Sequence, residues 1–359
     1  MYIAILTHGI SPFGHVYAKA FEAHGHVAEV WSMTPFSNNE YGTTVRMIGT
    51  SYFKPWEMES RWQYLKVLRP LRRAVRECRP DILLAQFMSS AGFLACLSGH
   101  RRVVVSALGT DVNDRVGSRL WRAVFRWEGR RSCFVHAVSV ALAEQLTHAV
   151  GIPRDRVFVA PIGVDTQRLA MVEPGARPNT GEILCLRAHK PVYDHATLVR
   201  AVARLKARGT QCHLTFTSCQ EVEATKALVR EARIEDRVAF RPGYEYAELP
   251  AIMASADVYV SCSLKDGTSQ SLLEALSTGT FPVVSDIEAN RPWVTHGVNG
   301  FLFPVGDDAA LADRLEEAQA RPDLRAAAAP LSRRLAVERG DINRLVDRLL
   351  AAFERCLAK

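Results

Sequence analysis

The sequence contains no uninterrupted apolar run of the roughly 18 residues that a membrane-spanning helix needs, so a chain threaded through a bilayer by helices is not expected. Its eight cysteines, Cys78, Cys96, Cys133, Cys185, Cys212, Cys219, Cys262 and Cys356, are scattered and never fall into the CxxC spacing of a zinc site. Lying mostly within apolar segments, they read as buried thiols of a protein kept in a reducing cytoplasm. The N-terminal stretch MYIAILTHG lacks a basic leader and reads at once as a strand, so no cleaved signal peptide is expected. Also missing is any aromatic-interleaved basic groove or base-reading motif, and nucleic acid is not an expected partner.

What is present fits two well-packed domains. The 359 residues exceed one ordinary core, and 48% apolar with 23% charged residues is the balance of a globular protein. The net charge of +7 comes mainly from arginine, much of it in RWQYLKVLRPLRRAVREC (61–78). There Trp62, Leu65, Leu68, Leu71 and Val75 recur at helical spacing, flanked by Arg61, Lys66, Arg69, Arg72, Arg73 and Arg76. This predicts an amphipathic helix, interrupted or kinked at Pro70. Two readings stay open: a solvated helix packing its stripe on its own domain, or a surface for anionic lipid or a lipid-phosphate acceptor.

The first half alternates strands (2–6, 27–31, 81–86, 102–107, 133–139, 156–161) with helical stretches, the pattern of a doubly wound parallel sheet. LAMVEPGARPNTGE (169–182) is rich in proline and glycine, has no apolar period, and predicts the interdomain linker. Strands then resume at 182–188, 212–218, 237–242, 257–263, 281–286 and 300–305, with helices at 196–208, 221–233, 246–255 and 270–278. The expected domains are 1–170 and 171–340, both Rossmann-like and facing across a cleft. A last helix, 341–359, could pack back on the first.

The stretch DGTSQSLLEAL (266–276) carries the chemistry. A helix opening near Thr268 or Ser269 would be capped by a hydroxyl and would aim the free amides of Ser269, Gln270 and Ser271 at an anion. Gly267 lets the backbone approach a ligand closely. Glu274 lies one turn in and shares a face with Gln270, so it can accept paired hydroxyls such as a ribose diol. Asp266 stands where it could hold hydroxyls on the other side of a phosphate. Taken alone, the stretch fits equally an ordinary capped helix with surface acids.

With its neighbours, the sequence resembles the retaining GT-B nucleotide-sugar glycosyltransferases of family 4 over nearly its whole length. Asp266 and Glu274, separated by seven residues, match the family's acidic pair. RVFVAPIGVDTQRL (156–169) is similar to its strand into "NGVD", RVAFRPGYEYAELPAIMASADVYVS (237–261) to its base-binding region, and HGVNGFLFPVGDDAALADRL (296–315) to its late glycine turn. The resemblance implies that Glu274 holds ribose, Asp266 the transferred sugar's hydroxyls, and the amides of Thr268, Ser269 and Gln270 the sugar or distal phosphate. It implies a base lying against Arg241, Gly243 and Tyr244, and a diphosphate neutralised by Arg187 and Lys190 of LRAHKPVYDH. Gly14 and His15 in SPFGHVYAKAF match the turn that opens the first helix beside the phosphates.

Four departures stand out. The family's first carboxylate is usually glutamate, one methylene longer than Asp266. Its lysine lies further from the arginine than Lys190 does, near Val192 and Tyr193. TSCQ (217–220) replaces the glycine-rich GxGP turn. In SALGTDVND, Leu108 occupies a place often held by histidine, and Asp111 becomes the first-domain candidate for an acceptor hydroxyl, the alternative being a turn or capping aspartate.

The implied activity is a retaining transfer from a nucleoside diphosphate sugar, UDP-linked (UDP-GlcNAc or UDP-glucose) in preference to GDP-mannose. The acceptor would be a hydroxyl of a glycan, lipid-linked or small molecule. Front-face attack, with the donor's β-phosphate taking the acceptor proton, suits a site with no obvious carboxylate nucleophile in the first domain. No metal or other cofactor is expected, since a DxD pattern at a strand end is not evident. Two rival readings are a GT-B epimerase or phosphorylase and a noncatalytic nucleotide-sugar-binding protein. A cytoplasmic protein, peripheral on the inner membrane face if helix 61–78 binds lipid, is the expected setting. His24, His26, His100 and His148 fall in turns or at helix ends and read as structural.

Overall fold

The computed structural model describes residues 1–8, 12–34, 42–49, 61–172, 179–217 and 221–358. It divides into two compact units. The first is Met1–Ile162 with Ile342–Lys359, and the second is Gly163–Asp341.

Among the described residues the first unit is built on β1 (Tyr2–Thr7), β2 (Val27–Ser32), β3 (Val45–Met47), β4 (Ile82–Gln86), β5 (Val103–Ala107), β6 (Phe134–Ala137) and β7 (Val157–Val159). They form one parallel sheet in the order β3-β2-β1-β4-β5-β6-β7. ILLAQ of β4 and VVVSA of β5 are buried at every position, as strands covered on both faces must be. The strand order reverses between β1 and β4. Beyond the carboxyl ends of these two strands lies the crevice where open α/β sheets take ligands. The helix Ile342–Leu357 belongs to this unit, where the buried Phe353 ring lies 5.8 Å from Phe21 and 6.2 Å from Phe134.

In the second unit β8 (Glu182–Cys185), β9 (His213–Phe216), β10 (Val238–Phe240), β11 (Val258–Ser261), β12 (Phe281–Ser285) and β13 (Phe301–Phe303) repeat the scheme. Their order is β10-β9-β8-β11-β12-β13, again all parallel, with the reversal between β8 and β11. Both units are Rossmann-like.

Three sequence expectations change. The helix Arg61–Cys78 runs through Pro70 without an interruption. Proline removes one backbone hydrogen bond there, but it sits on the exposed side while Val67, Leu71 and Ala74 anchor the other. The buried face keeps Leu68, Leu71 and Val75 of the expected stripe and adds Val67 and Ala74, whereas Leu65 is exposed and the side chain of Trp62 lies outside the described residues. Of the linker expected at 169–182, residues 173–178 lie outside the described residues, and the boundary between the units falls earlier, at Gly163. At its start Leu169 is buried in the second unit, and its carbonyl accepts from Ser277 Oγ and Arg333 Nη1, each at 2.7 Å. The short edge strand β3 carried no signal of its own in the sequence.

Candidate active site

Two carboxyl-terminal strand ends of the second unit meet at its switch point. From β8 the chain carries Arg187, and from β11 it carries the loop with Asp266 into the helix Gln270–Thr278. Arg187 Nη2 donates to Asp266 Oδ2 at 2.6 Å, and Arg187 Nη1 donates to Ser269 Oγ at 3.0 Å and Ser271 Oγ at 3.4 Å. The guanidinium lies 4.0 Å from the centre of the Tyr193 ring. Its Nε is buried and has no hydrogen-bond partner.

Ser269 caps the helix, accepting from Leu272 N at 3.3 Å, and Gly279 ends it in the left-handed conformation that glycine tolerates. The helix therefore opens at Gln270, as the sequence predicted. Asp266 Oδ1 accepts the Gly267 amide at 2.8 Å, which fixes the carboxylate at the mouth of the loop. Behind it, Tyr259 Oη and Ser271 Oγ are hydrogen-bonded at 2.7 Å, and Ser269 and Ser271 hydroxyls at 3.3 Å. Thr268 is buried beside them.

Glu274 is buried one turn into the helix. Burial raises its pKa to about 7, against the pull of a Gln270 hydrogen bond and the Arg187 charge. In Arg187 the two effects exchange signs, and the net shift is again upward. Burial works to lower its pKa, yet Asp266 above all raises it, so the guanidinium stays charged. The site thus holds a fixed cation, a carboxylate clamped to it, a helix N-terminus, and a second carboxyl poised between its two forms. These parts can neutralise a phosphate and accept a diol.

Of the other residues singled out in this unit, Lys190 is exposed and opens the turn Pro191–Tyr193. Arg241 and Gly243 are exposed after β10, and Tyr244 is partly buried against the core. Of TSCQ, residues 218–220 lie outside the described residues. Sequence reasoning did not single out Tyr259, and it took Ser271 for its amide and not for its hydroxyl. Strand alternation in DVYVS was the signal that could have turned Tyr259 toward the helix.

The first unit places its candidates differently. Gly14 sits in the helix Pro12–Ala23, where a Cβ would come 2.7 Å from Thr7 Cγ2, so glycine lets that helix close on β1. His15 is buried, and its Nδ1 is 2.6 Å from Thr43 Oγ1. Asp111 is buried with both oxygens engaged: Oδ2 accepts from Met88 N at 2.7 Å, and Oδ1 from Leu108 N at 3.0 Å and Gly109 N at 2.9 Å. Burial raises its pKa while these amides lower it. The carboxylate ties the end of β4 to the end of β5, an arrangement that fits the turn or capping aspartate left open beside an acceptor contact. Two further residues at this crevice, His8 and Ser90, were missed; His8 Nε2 lies 3.1 Å from Ser90 Oγ, a pairing 82 positions apart.

Comparison with known proteins decides the family. Residues 9–168 match the model "Glycosyltransferase Family 4", and residues 168–334 match "Glycosyl transferases group 1". The chain belongs to the family 4, group 1 glycosyltransferases. EpsD of Bacillus subtilis (strain 168), assigned as a glycosyltransferase, is 24% identical over 90% of this chain and 88% of its own. The MMP α-(1→4)-mannosyltransferase of Mycolicibacterium hassiacum is 31% identical over 49% of this chain and 45% of its own. The crystal structure of Anabaena HepE in complex with UDP and glucose superposes with a TM-score of 0.78 at 18% identity, covering 97% of this glycosyltransferase and 99% of HepE. That likeness establishes the fold as GT-B.

Proposed function

We propose that this glycosyltransferase takes its sugar from a nucleoside diphosphate sugar bound in the second unit and transfers it, with retained configuration, to a hydroxyl of a glycan, lipid-linked or small-molecule acceptor. The observation that carries the reading is the Arg187–Asp266 pair at the capped end of the helix bearing buried Glu274. Arg187 and the amides at 268–270 neutralise the diphosphate, with exposed Lys190 as a second cation; Glu274 accepts the ribose diol. The base lies against Arg241, Gly243 and Tyr244. Asp266 holds Arg187 in place and offers its remaining lone pairs to a hydroxyl of the transferred sugar.

In the transfer step the bond from the anomeric carbon to the phosphate oxygen breaks, and a bond to the acceptor oxygen forms on the same face. The acceptor proton passes to the departing phosphate oxygen. Arg187, preorganised by Asp266 and by the face of Tyr193, stabilises the charge that grows there. No metal or other cofactor enters this scheme.

A uridine nucleotide is favoured, supported by the UDP complex of HepE, with GDP-mannose as the alternative. The test is a panel of UDP- and GDP-sugars scored by mass spectrometry, first for binding and then for transfer with cell extract as the acceptor source. Release of nucleoside diphosphate together with a hexose-shifted product supports the reading. Binding of nucleotide with no transfer from any donor would overturn it.

A further inference from the structure

One group in the first unit costs free energy and has no part in the proposed chemistry. Glu128, on the helix Arg119–Arg131, is wholly buried, and neither of its carboxyl oxygens has a hydrogen-bond partner. An unpaired buried carboxyl is expensive, and far more so when ionised. Its surroundings indicate what keeps it there.

The carboxyl abuts Gly92, the last residue of the π-helical turn Phe87–Gly92: a Cβ at Gly92 would stand 3.0 Å from Glu128 Oε2 and 2.7 Å from Val105 Cγ1. Asp111 grips the same turn at its start through the Met88 amide. The residue just before that amide, Phe87, has φ 75°, a left-handed conformation that a bulky side chain adopts only when its surroundings impose it. Its ring lies 5.9 Å from the His8 ring, and Ser90 of the same turn reaches His8 Nε2. So two carboxyls bracket a strained turn, and that turn sets the two polar side chains at the β1/β4 crevice.

We propose that Glu128 is a positioning residue: uncharged within the fold, it completes with Asp111 the clasp that holds the Phe87–Gly92 turn and thereby places Ser90 and His8. The proposal rests on the reading that the first unit takes the acceptor only in what Ser90 and His8 are for, not in how they are held. Burial and the neighbouring Asp111 charge both keep the proton on Glu128, so Asp111 carries the single negative charge of the pair and its three amides stay bound. Ionising Glu128 would put two like charges in one apolar pocket, and the turn is the element free to yield.

The elements packed on the Glu128 helix are the Phe87–Gly92 turn, the helix Phe93–Leu97, β5 and the turn Leu146–Val150. Their titratable side chains are Cys96, whose thiol is pushed up chiefly by burial and lies within electrostatic reach of Glu128 and Arg131, and His148, which is exposed. Arg156 meets this helix at the carbonyls of Gly129 and Arg130. Arg126, on the helix itself, donates to the Val150 carbonyl. None of these cations is hydrogen-bonded to the Glu128 carboxyl.

The test uses the full chain with no acceptor, so its outcome is separate from that of the transfer assay. Amide hydrogen exchange over peptides covering 86–93 and 106–112 is followed with rising pH, corrected for intrinsic exchange, in the native protein and in Glu128→Gln. The carboxyl stretch of ¹³C-labelled glutamate is read by infrared spectroscopy. The native protein should show a protonated-glutamate band that persists above the pH at which Glu274 ionises and that is absent from Glu128→Gln. Its two segments should lose protection by on the order of tenfold as that band disappears, while the neutral Gln variant keeps protection through the same range. UDP binding should match in both. Coinciding exchange profiles, or a native protein with no protonated-glutamate band beyond the one that Glu274 contributes, would overturn the proposal.

Discussion

Arg187 and Asp266, 79 positions apart in the chain, close to 2.6 Å with both side chains largely out of solvent. The pair joins the ends of β8 and β11 at the point where the strand order reverses, and it leaves the guanidinium Nε unengaged. A cation held so firmly pays no reorganisation cost when phosphate charge develops beside it.

Breaking that pair from either side should therefore cost both stability and turnover. Asp266→Ala strands a buried guanidinium and should lower unfolding free energy by about 3 kcal/mol, the low end for a broken buried pair because a little solvent reaches both groups. Arg187→Ala should reduce kcat by roughly 10²-fold or more. Chemical denaturation of the two single variants and the double variant gives the coupling, which should exceed about 1 kcal/mol. Additive losses would mean that the two groups act independently.

Glu274 gives the nucleotide site a pH signature. Its pKa, raised to about 7 by burial, means that much of it is neutral in the unliganded protein near neutral pH, whereas a diol-accepting carboxylate must be ionised. UDP affinity should fall as pH drops through about 7, approaching roughly tenfold per pH unit below it. Stability moves the opposite way. The folded chain holds this proton up to about pH 7 while the unfolded chain releases it near 4.5, so Glu274 makes the protein less stable as pH rises through that window. Glu274→Gln should flatten both trends, measured by calorimetry and by thermal unfolding.

Asp111 separates a clasp from an acceptor contact. Because its oxygens take three backbone amides, Asp111→Ala should destabilise the first unit by about 2–3 kcal/mol and leave UDP affinity unchanged. A variant of native stability that has lost only transfer would instead support direct contact with the acceptor.

The basic helix presents a thinner cationic face than its composition suggested. Arg72 donates to the Leu97 carbonyl at 2.9 Å and Arg73 pairs with Glu77 at 2.7 Å, while Lys66, Arg69 and Arg76 face solvent beside exposed Leu65. No described helix is long and apolar enough to cross a membrane. If this face binds the surface of an anionic bilayer, flotation with anionic liposomes should exceed flotation with neutral ones and should drop when Lys66, Arg69 and Arg76 are neutralised together. Equal flotation of both proteins would remove the membrane from the account.

The parallel strands and the helix Gln270–Thr278 were legible in the sequence because their signals are local: buried runs such as VVVSA, a serine cap, a glycine stop and an acid one turn in. The Arg187–Asp266 pair was not, for nothing within either segment records a partner 79 positions away. For Asp111 a turn or capping role was legible as one of two readings, but its tie to the Met88 amide from another strand's end was not. Glu128 gave no sign at all. In RWEGRR it reads as one more charge on an arginine-rich helix, and only packing against Gly92 shows that it points inward. The serine-rich DGTSQS loop was read as a source of amides; its hydroxyls also serve, holding Arg187 from below.

The central claim is that the second unit binds a nucleoside diphosphate through Glu274. Titration calorimetry of UDP, and of GDP in parallel, against the native protein and Glu274→Ala at a pH above 7 tests it most directly. The account predicts that one of the two nucleotides binds the native protein and that the variant binds it at least about tenfold more weakly, the loss expected for two hydrogen bonds to a charged acceptor. Equal affinity in the two proteins would contradict it.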